Sequence, residues 1–123
     1  MINSVTFNGR LVKDPIYTEL ENDNAITRFT VAVQRNFKNI NDQYDADFIP
    51  CYTFGRGKGK AYVNNLKKGS LVGIKGHVRS RKVEKDGVVS YLVEVEIEDV
   101  DFLSPKTSTE SQSNFQFNQD PLA

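Results

Sequence analysis

Residues 28–56 constrain the fold more than any other part of the chain, because they contain two runs in which residue character alternates. In residues 29–34, large apolar residues alternate with Thr, Ala and Gln, which is typical of a strand with one buried face. In residues 48–54 both faces carry apolar residues: Ile49 and Cys51 on one face, and three aromatic residues on the other. A small barrel has only one core face, so one of these two sets lies on the surface.

Two alternatives follow, and the pattern alone does not separate them. If Ile49 and Cys51 point inward, the aromatic residues form a row on an outer surface, with cations beside it. The candidate surface residues are then Phe48, Tyr52 and Phe54, followed by Arg56 and joined across the hairpin by Arg35 and Phe37. Rings to stack on and charges to follow phosphates are what a single-stranded nucleic acid needs. In the other alternative, the aromatic row is the core and Ile49 faces outward.

Charges are segregated along the chain, although 16 Lys and Arg balance 16 Asp and Glu. Residues 48–83 contain no acidic residue, whereas residues 92–103 contain no basic one. The basic run consists of Arg56, Lys58, Lys60, Lys67, Lys68, Lys75, Arg79, Arg81 and Lys82. This segregation predicts a dipolar surface that holds a polyanion on one side. The alternative is that both runs are solvated strand faces.

The sequence gives little support for catalysis, a cofactor or a metal. The chain has one histidine, His77, and one cysteine, Cys51, and acid–base or nucleophilic chemistry needs such groups together in a cleft. The pairs Asp45/Asp47 and Asp99/Asp101 lack a nearby third ligand in sequence, so solvated positions are the simpler interpretation. We therefore expect no catalytic residue, no cofactor and no metal site.

Composition also bears on location. A single cysteine excludes an internal disulfide and suits the reducing cytoplasm. No apolar run approaches the roughly 18 residues of a membrane span, and the N-terminus lacks a basic segment followed by an apolar one. We expect a cytoplasmic, nucleoid-associated protein with no membrane partner.

The order of elements predicts a mostly β architecture. There are five main strands, and residues 61–68 form the one short helix, between the third and fourth of them, ended by Gly69. The preceding glycines favour a flexible loop over residues 55–60. The apolar parity switches between Ile97 and Val100, which predicts a β-bulge at a barrel corner. Together these features indicate a Greek-key OB-fold barrel over residues 1–105 and a disordered polar tail over residues 106–123.

Five segments follow one another in order over residues 1–105: NSVTFNGRLVKDP, RFTVAVQRNF, ADFIPCYTF, NLKKGSLVGIKGHVRSRK and VDFLSP. In these segments the chain resembles the bacterial-type single-stranded DNA-binding protein (SSB) family. The resemblance implies an OB-fold, usually a homotetramer, that binds single-stranded DNA in replication, recombination or repair with little sequence preference. By resemblance, the base-stacking residues are Phe37, Phe48 and Phe54. The phosphate-contacting residues are Arg56, Lys67, Lys68, Arg79, Arg81 and Lys82.

Three features depart from that family pattern. Val83 stands where an aromatic residue is common, and we expect weaker binding unless Tyr91 substitutes for it. The segment GRGKGK replaces part of a longer helix. The chain ends in NQDPLA rather than an acidic run closed by Phe, which makes recruitment of replication or repair proteins through the C-terminal tip doubtful. The alternatives to DNA binding are a protein-interaction module on the same barrel and an OB-fold nuclease.

Overall fold

A computed structural model describes residues 1–104, which form one six-stranded sheet and one helix. The elements are β1 (Val5–Leu11), β2 (Ile16–Glu19), β3 (Ala25–Lys38), β4 (Tyr44–Phe54), α1 (Arg56–Asn65), β5 (Leu71–Lys85) and β6 (Val88–Phe102). The sheet order is β1-β5-β6-β4-β3-β2, and an additional pairing of β1 with β3 closes five of the strands into a barrel. The predicted OB-fold is therefore confirmed.

Two long antiparallel ribbons make up most of the barrel. The β3–β4 ribbon and the β5–β6 ribbon meet where β4 runs parallel to β6, with Cys51 opposite Val95 and Tyr52 opposite Glu96. The core lies between the ribbons and β1, and the helix covers one end of it. The buried cluster consists of Leu11, Phe29, Val31, Cys51, Tyr62, Leu66, Val72, Ile74, Val95 and Ile97.

The parity switch in the last strand is a β-bulge, as predicted. In the β5–β6 ladder, Ile97 lies opposite Gly76, whereas Asp99 lies opposite Lys75. Two neighbouring residues of β5 therefore face residues of β6 that are two positions apart, which leaves Glu98 as the extra residue. The bulge moves the inward-facing set from Ile97 to Val100, which packs against the core cluster.

The helix begins earlier than predicted, and the prediction of a flexible glycine loop is wrong. Helix α1 spans Arg56–Asn65, and Leu66 already has extended backbone. Gly59 explains the difference, because a Cβ built there would collide with the Thr27 hydroxyl and lie 2.8 Å from the Tyr17 ring. Only glycine lets the helix pack this closely on the barrel, and tertiary packing commonly outweighs the low helix propensity of a residue.

The boundary between the barrel and the predicted tail is not covered by the structure. Residues 106–123 lie outside the described residues, so a disordered tail and a domain ending at residue 105 stay predictions. Within residues 1–104, the helix is neither long enough nor apolar enough to cross a membrane.

Candidate nucleic-acid interface

The two faces of β4 differ sharply in exposure. Cys51 and Thr53 are buried, with 2% and 3% of their surface exposed, whereas Phe48 is 63% exposed and Phe54 is 47% exposed. The inner face of β4 points into the closed barrel, where small side chains fit against Val31. The larger rings are on the outer face and point away from the barrel. The alternative in which the aromatic row forms the core is therefore wrong. Phe48, Tyr52 and Phe54 form an outer row.

Sequence reasoning missed Arg28, which belongs to the same outer face. In the β3–β4 register, Arg28 lies directly opposite Tyr52, and its guanidinium carbon is 5.5 Å from the centre of the Tyr52 ring. Tyr52 in turn meets Phe54 edge-on, with 5.6 Å between ring centres. Arginine and two rings thus form one continuous cation–π and aromatic group. Arg28 follows the alternation of β3, but only the strand register reveals its partner.

Burial shapes the chemistry of Tyr52. Partial burial raises the pKa of its hydroxyl, and the nearby carboxylates of Glu96 and Glu94 raise it further. Tyr52 therefore stays neutral through the physiological range. A neutral ring without negative charge is suited to contact with a polyanion.

A shallow cleft of about 430 Å³ runs beside the aromatic row. Its walls are mainly apolar, including Phe48, Pro50 and Ile16, and Arg28 and Glu94 also line it. Asp14 also lines it and accepts a hydrogen bond from the backbone N–H of Lys68 at 2.7 Å. The cleft therefore combines apolar walls for a planar ring with charged groups nearby.

The far end of the β3–β4 ribbon carries two more rings, the exposed Phe37 and the half-buried Tyr44. Phe37 is 67% exposed, and Tyr44 shares the parity of Phe48 along β4. Lys38 pairs with Tyr44 in the ladder and lies 5.7 Å from the centre of its ring. Tyr44 was also missed from sequence, because it stands in a polar segment that reads as a loop.

The prediction that Arg35 joins the aromatic row is wrong. It forms a salt bridge with Asp47, with 2.8 Å between Nη2 and Oδ1. Asp47 has the parity of Ile49 and Cys51, so this pair lies on the other face of the ribbon. The hydrogen bond from Arg35 lowers the pKa of Asp47, and the same bond raises the pKa of Arg35.

The prediction of a dipolar surface is wrong for the β5–β6 ribbon, because the basic and acidic runs are neighbours in that part of the sheet. Strands β5 and β6 are antiparallel, so charges that are distant in sequence face each other. Arg79 Nε lies 2.8 Å from Glu96 Oε1, and Lys75 Nζ lies 3.9 Å from Glu98 Oε1. The hydrogen bond to Glu96 raises the pKa of Arg79. Opposite charges are interleaved rather than separated.

The remaining basic candidates occupy different places. Arg56 opens α1 and contacts Glu19 Oε2 at 2.9 Å. Lys67 and Lys68 follow α1 rather than ending it, and both are exposed. Arg81 contacts Glu94 Oε1 at 2.8 Å on the outer face of the β5–β6 ribbon.

Tyr91 does not stand in for the aromatic residue missing at position 83. Tyr91 lies opposite Lys82, whereas Val83 lies opposite Ser90. Neighbouring positions of a strand point to opposite faces, so Tyr91 and Lys82 are on one side of the ribbon and Val83 is on the other. Tyr91 is nevertheless 71% exposed, on the side opposite Arg79 and Arg81.

The residues considered for chemistry do not converge. Burial raises the pKa of the Cys51 thiol to about 12, so Cys51 behaves as a small buried apolar residue. His77 Nδ1 is 3.9 Å from Glu98 Oε2. Among residues 1–104, no three His, Cys, Asp or Glu side chains are grouped closely enough to hold a metal ion.

Comparisons with known proteins agree with this geometry. The model of the Single-strand binding protein family matches residues 2–103. The chain is 38% identical over 122 residues to the single-stranded DNA-binding protein of Staphylococcus epidermidis, covering 95% of this chain and 88% of that protein.

Two Bacillus relatives match at similar identity. Single-stranded DNA-binding protein A of Bacillus subtilis is 41% identical over 114 residues, covering 92% of this chain and 66% of that protein. The single-stranded DNA-binding protein of Bacillus cereus is 41% identical over 122 residues, covering 98% and 71%. The extent of these matches and the closed barrel agree, and the chain belongs to the Single-strand binding protein family.

Proposed function

We propose that this protein binds single-stranded DNA with little sequence preference, and protects it during replication, recombination or repair. The observation that carries the proposal is the outer aromatic row, in which Phe48 and Phe54 are 63% and 47% exposed although burial is their usual state. Stacking on such rings accepts any base, because every base has a π face. The names of the matched relatives support the same ligand.

The bases stack on the outer row, and phosphates follow the cations around it. Arg28 lies over the Tyr52 ring, so its planar guanidinium extends the stacking surface and its charge contacts phosphate. Lys67 and Lys68 are exposed near the cleft beside Phe48. Because phosphate contacts carry no sequence information, the whole interface is indifferent to sequence.

Three basic side chains must exchange partners when DNA arrives. Arg79 is paired with Glu96, whose side chain is 35% exposed. An exposed ion pair contributes only about 0–1 kcal/mol, so a phosphate can replace the carboxylate at small cost. The same exchange applies to Arg56 with Glu19 and to Lys75 with Glu98.

The working assembly is a homo-oligomer, and we propose a homotetramer in the cytoplasm that catalyses no reaction. An exposed strand edge supports the association of subunits. Strand β1 pairs with β5 over Val5–Arg10 but with β3 only at Arg10 and Leu11. The first half of β1 therefore has one edge without a ladder partner in the described chain, and such edges readily pair with another chain.

A fluorescence titration with oligo-dT at two salt concentrations, accompanied by light scattering, tests the proposal. We expect saturable binding, with log K falling against log salt by about 0.7 per neutralised phosphate. A duplex of equal length binds far more weakly, because its bases are already stacked inside. Equal affinity for duplex, or no complex with oligo-dT in dilute buffer, would refute the proposal.

A further inference from the structure

Glu94 is the one strongly buried carboxylate on the outer face among residues 1–104, and it is unusual in having two arginine partners. Its side chain is 5% exposed. One oxygen accepts a hydrogen bond from Arg28 on β3, and the other accepts one from Arg81 on β5, at 2.8 Å. This group therefore connects β3 to β5 across the outer face, with β4 and β6 lying between these two strands.

The group has more positive than negative charge and keeps donors free for a ligand. Two guanidinium groups surround one carboxylate, and each guanidinium has five N–H donors. Arg28 remains 41% exposed and Arg81 52% exposed. Their remaining N–H groups can therefore bind a phosphate while Glu94 holds the side chains in place.

Glu94 also fixes the aromatic row indirectly. Arg28 is held by Glu94 on one side and lies 5.5 Å from the centre of the Tyr52 ring on the other. Tyr52 packs edge-on against Phe54. Releasing Arg28 would thus free both a cation and the ring on which it lies.

The pair of Arg79 and Glu96 differs from this group, although Glu96 lies only two residues after Glu94 on β6. The Glu96 side chain is 35% exposed, against 5% for Glu94, and it contacts one arginine rather than two. An exposed carboxylate of this kind competes with phosphate for its arginine. A buried one that bridges two arginines instead restricts where they point, which preserves binding free energy that would otherwise be lost in ordering them.

We infer that Glu94 is a positioning residue for single-stranded DNA binding: its carboxylate holds Arg28 and Arg81 in the orientation that the phosphates meet. The inference rests on the proposed function. It makes a counterintuitive prediction, because it requires that removing a negative charge from a polyanion-binding surface weakens binding.

The decisive experiment compares Glu94→Gln with Glu96→Gln, using anisotropy of a fluorescent oligo-dT and thermal unfolding without DNA. We expect Glu94→Gln to weaken binding about fivefold, on the scale of one ordinary hydrogen bond. We expect Glu96→Gln to bind as well as the wild type or better. Measurements are made well below the unfolding midpoint of each variant.

Two outcomes would overturn the inference. If Glu94→Gln binds more tightly, Glu94 is only a repulsive charge. If it binds as the wild type and merely unfolds at lower temperature, its role is structural. Failure of the wild type to bind oligo-dT would instead refute the proposed function itself, so the two failures are distinguishable.

A second pair of variants decides the matter if Glu94→Gln does not fold. Arg28→Lys keeps the charge but loses the planar fork that Glu94 orients, whereas Arg28→Ala loses both. If orientation matters, Arg28→Lys binds about fivefold more weakly than the wild type, and Arg28→Ala binds at least as weakly as Arg28→Lys. If Arg28→Lys binds as the wild type, charge alone suffices and the inference is wrong.

Discussion

Phe29 and Phe48 are the same type of residue on neighbouring strands, yet one is buried and the other is exposed. Phe29 faces the interior, is 5% exposed and meets Tyr62 edge-on at 6.4 Å between ring centres. Phe48 faces outward and is 63% exposed. The difference shows that strand parity relative to the closed barrel, rather than residue type, decides whether a ring stabilises the fold or remains available to a ligand.

The same division separates the two faces of the whole β3–β4 ribbon. The inner face carries Cys51 and Thr53, which are small and buried, and the outer face carries the exposed row with Arg28. Substitutions on the inner face should therefore act on stability, and those on the outer face on DNA affinity. Two predictions test this separation directly, and two more extend the comparison to helix α1 and to the pair of Arg35 and Asp47.

The strongest test of the inner face is Phe29→Ala. Truncating a buried phenylalanine leaves a cavity, and we expect the free energy of unfolding to fall by about 3–5 kcal/mol. Urea denaturation followed by circular dichroism measures the change. The matched variant is Phe48→Ala, which should alter unfolding by less than about 0.5 kcal/mol. Equal destabilisation by the two variants would abolish the distinction between the faces.

The corresponding test of the outer face is Phe54→Ala. We expect the free energy of oligo-dT binding to weaken by about 1–3 kcal/mol, because one stacking surface is lost. Phe54 also supports Tyr52 edge-on, so the effect extends to its neighbour. Titration of a labelled oligonucleotide measures the affinity, with urea denaturation as the control. Loss of folding without a specific loss of affinity would assign this ring to the core.

Helix α1 allows the same comparison between its covered and open sides. A Cβ at Gly59 would collide with Thr27 and Tyr17, whereas a Cβ at Gly57 would meet nothing within 4 Å. We expect Gly59→Ala to destabilise by about 1–3 kcal/mol through overpacking. Gly57→Ala should stabilise by about 0.5–1 kcal/mol through helix propensity. Thermal unfolding of both variants measures the contrast, and stabilisation by both would show that Gly59 is not a packing requirement.

The smallest expected effect concerns Asp47, whose pKa is lowered by the hydrogen bond from Arg35. A carboxyl with a lowered folded-state pKa adds stability that is complete above its unfolded pKa of about 3.9 and is lost as pH falls through the folded value. NMR titration of the Asp47 carboxyl measures the shift. In Arg35→Gln, the pKa should return toward its ordinary value. An unchanged pKa would mean that the pair does not persist in solution.

Strand patterns and the bulge could be predicted from the sequence, but the choice between faces could not. Alternation in residues 48–54 shows that the faces differ, whereas closure by β1, β5 and β6 decides which face is inside. The bulge was visible because the switch from Ile97 to Val100 is local. A pattern that lies within one β-strand can be recognised without knowing which strands it pairs with.

Three of the differences concern partners that are distant in sequence. The glycine segment predicts a loop because its helix penalty is local, whereas the compensating contact of Gly59 with Thr27 is not. Charge segregation along the chain predicts a dipolar surface, whereas β5 and β6 place Arg79 beside Glu96. The sequence does not point to Arg28, because its role depends on the register with Tyr52.

The pairing of β1 with β5 has a consequence for how the chain acquires its structure. Val5 lies opposite Gly76 and Arg10 opposite Leu71. Strand β1 therefore cannot complete its pairing until β5, which is synthesised much later, is available. Contacts of such long range slow folding, with typical times of milliseconds to seconds for barrels of this kind. On the ribosome, the emerging N-terminal half therefore lacks its partner, and its apolar strands remain open to premature association until β5 appears.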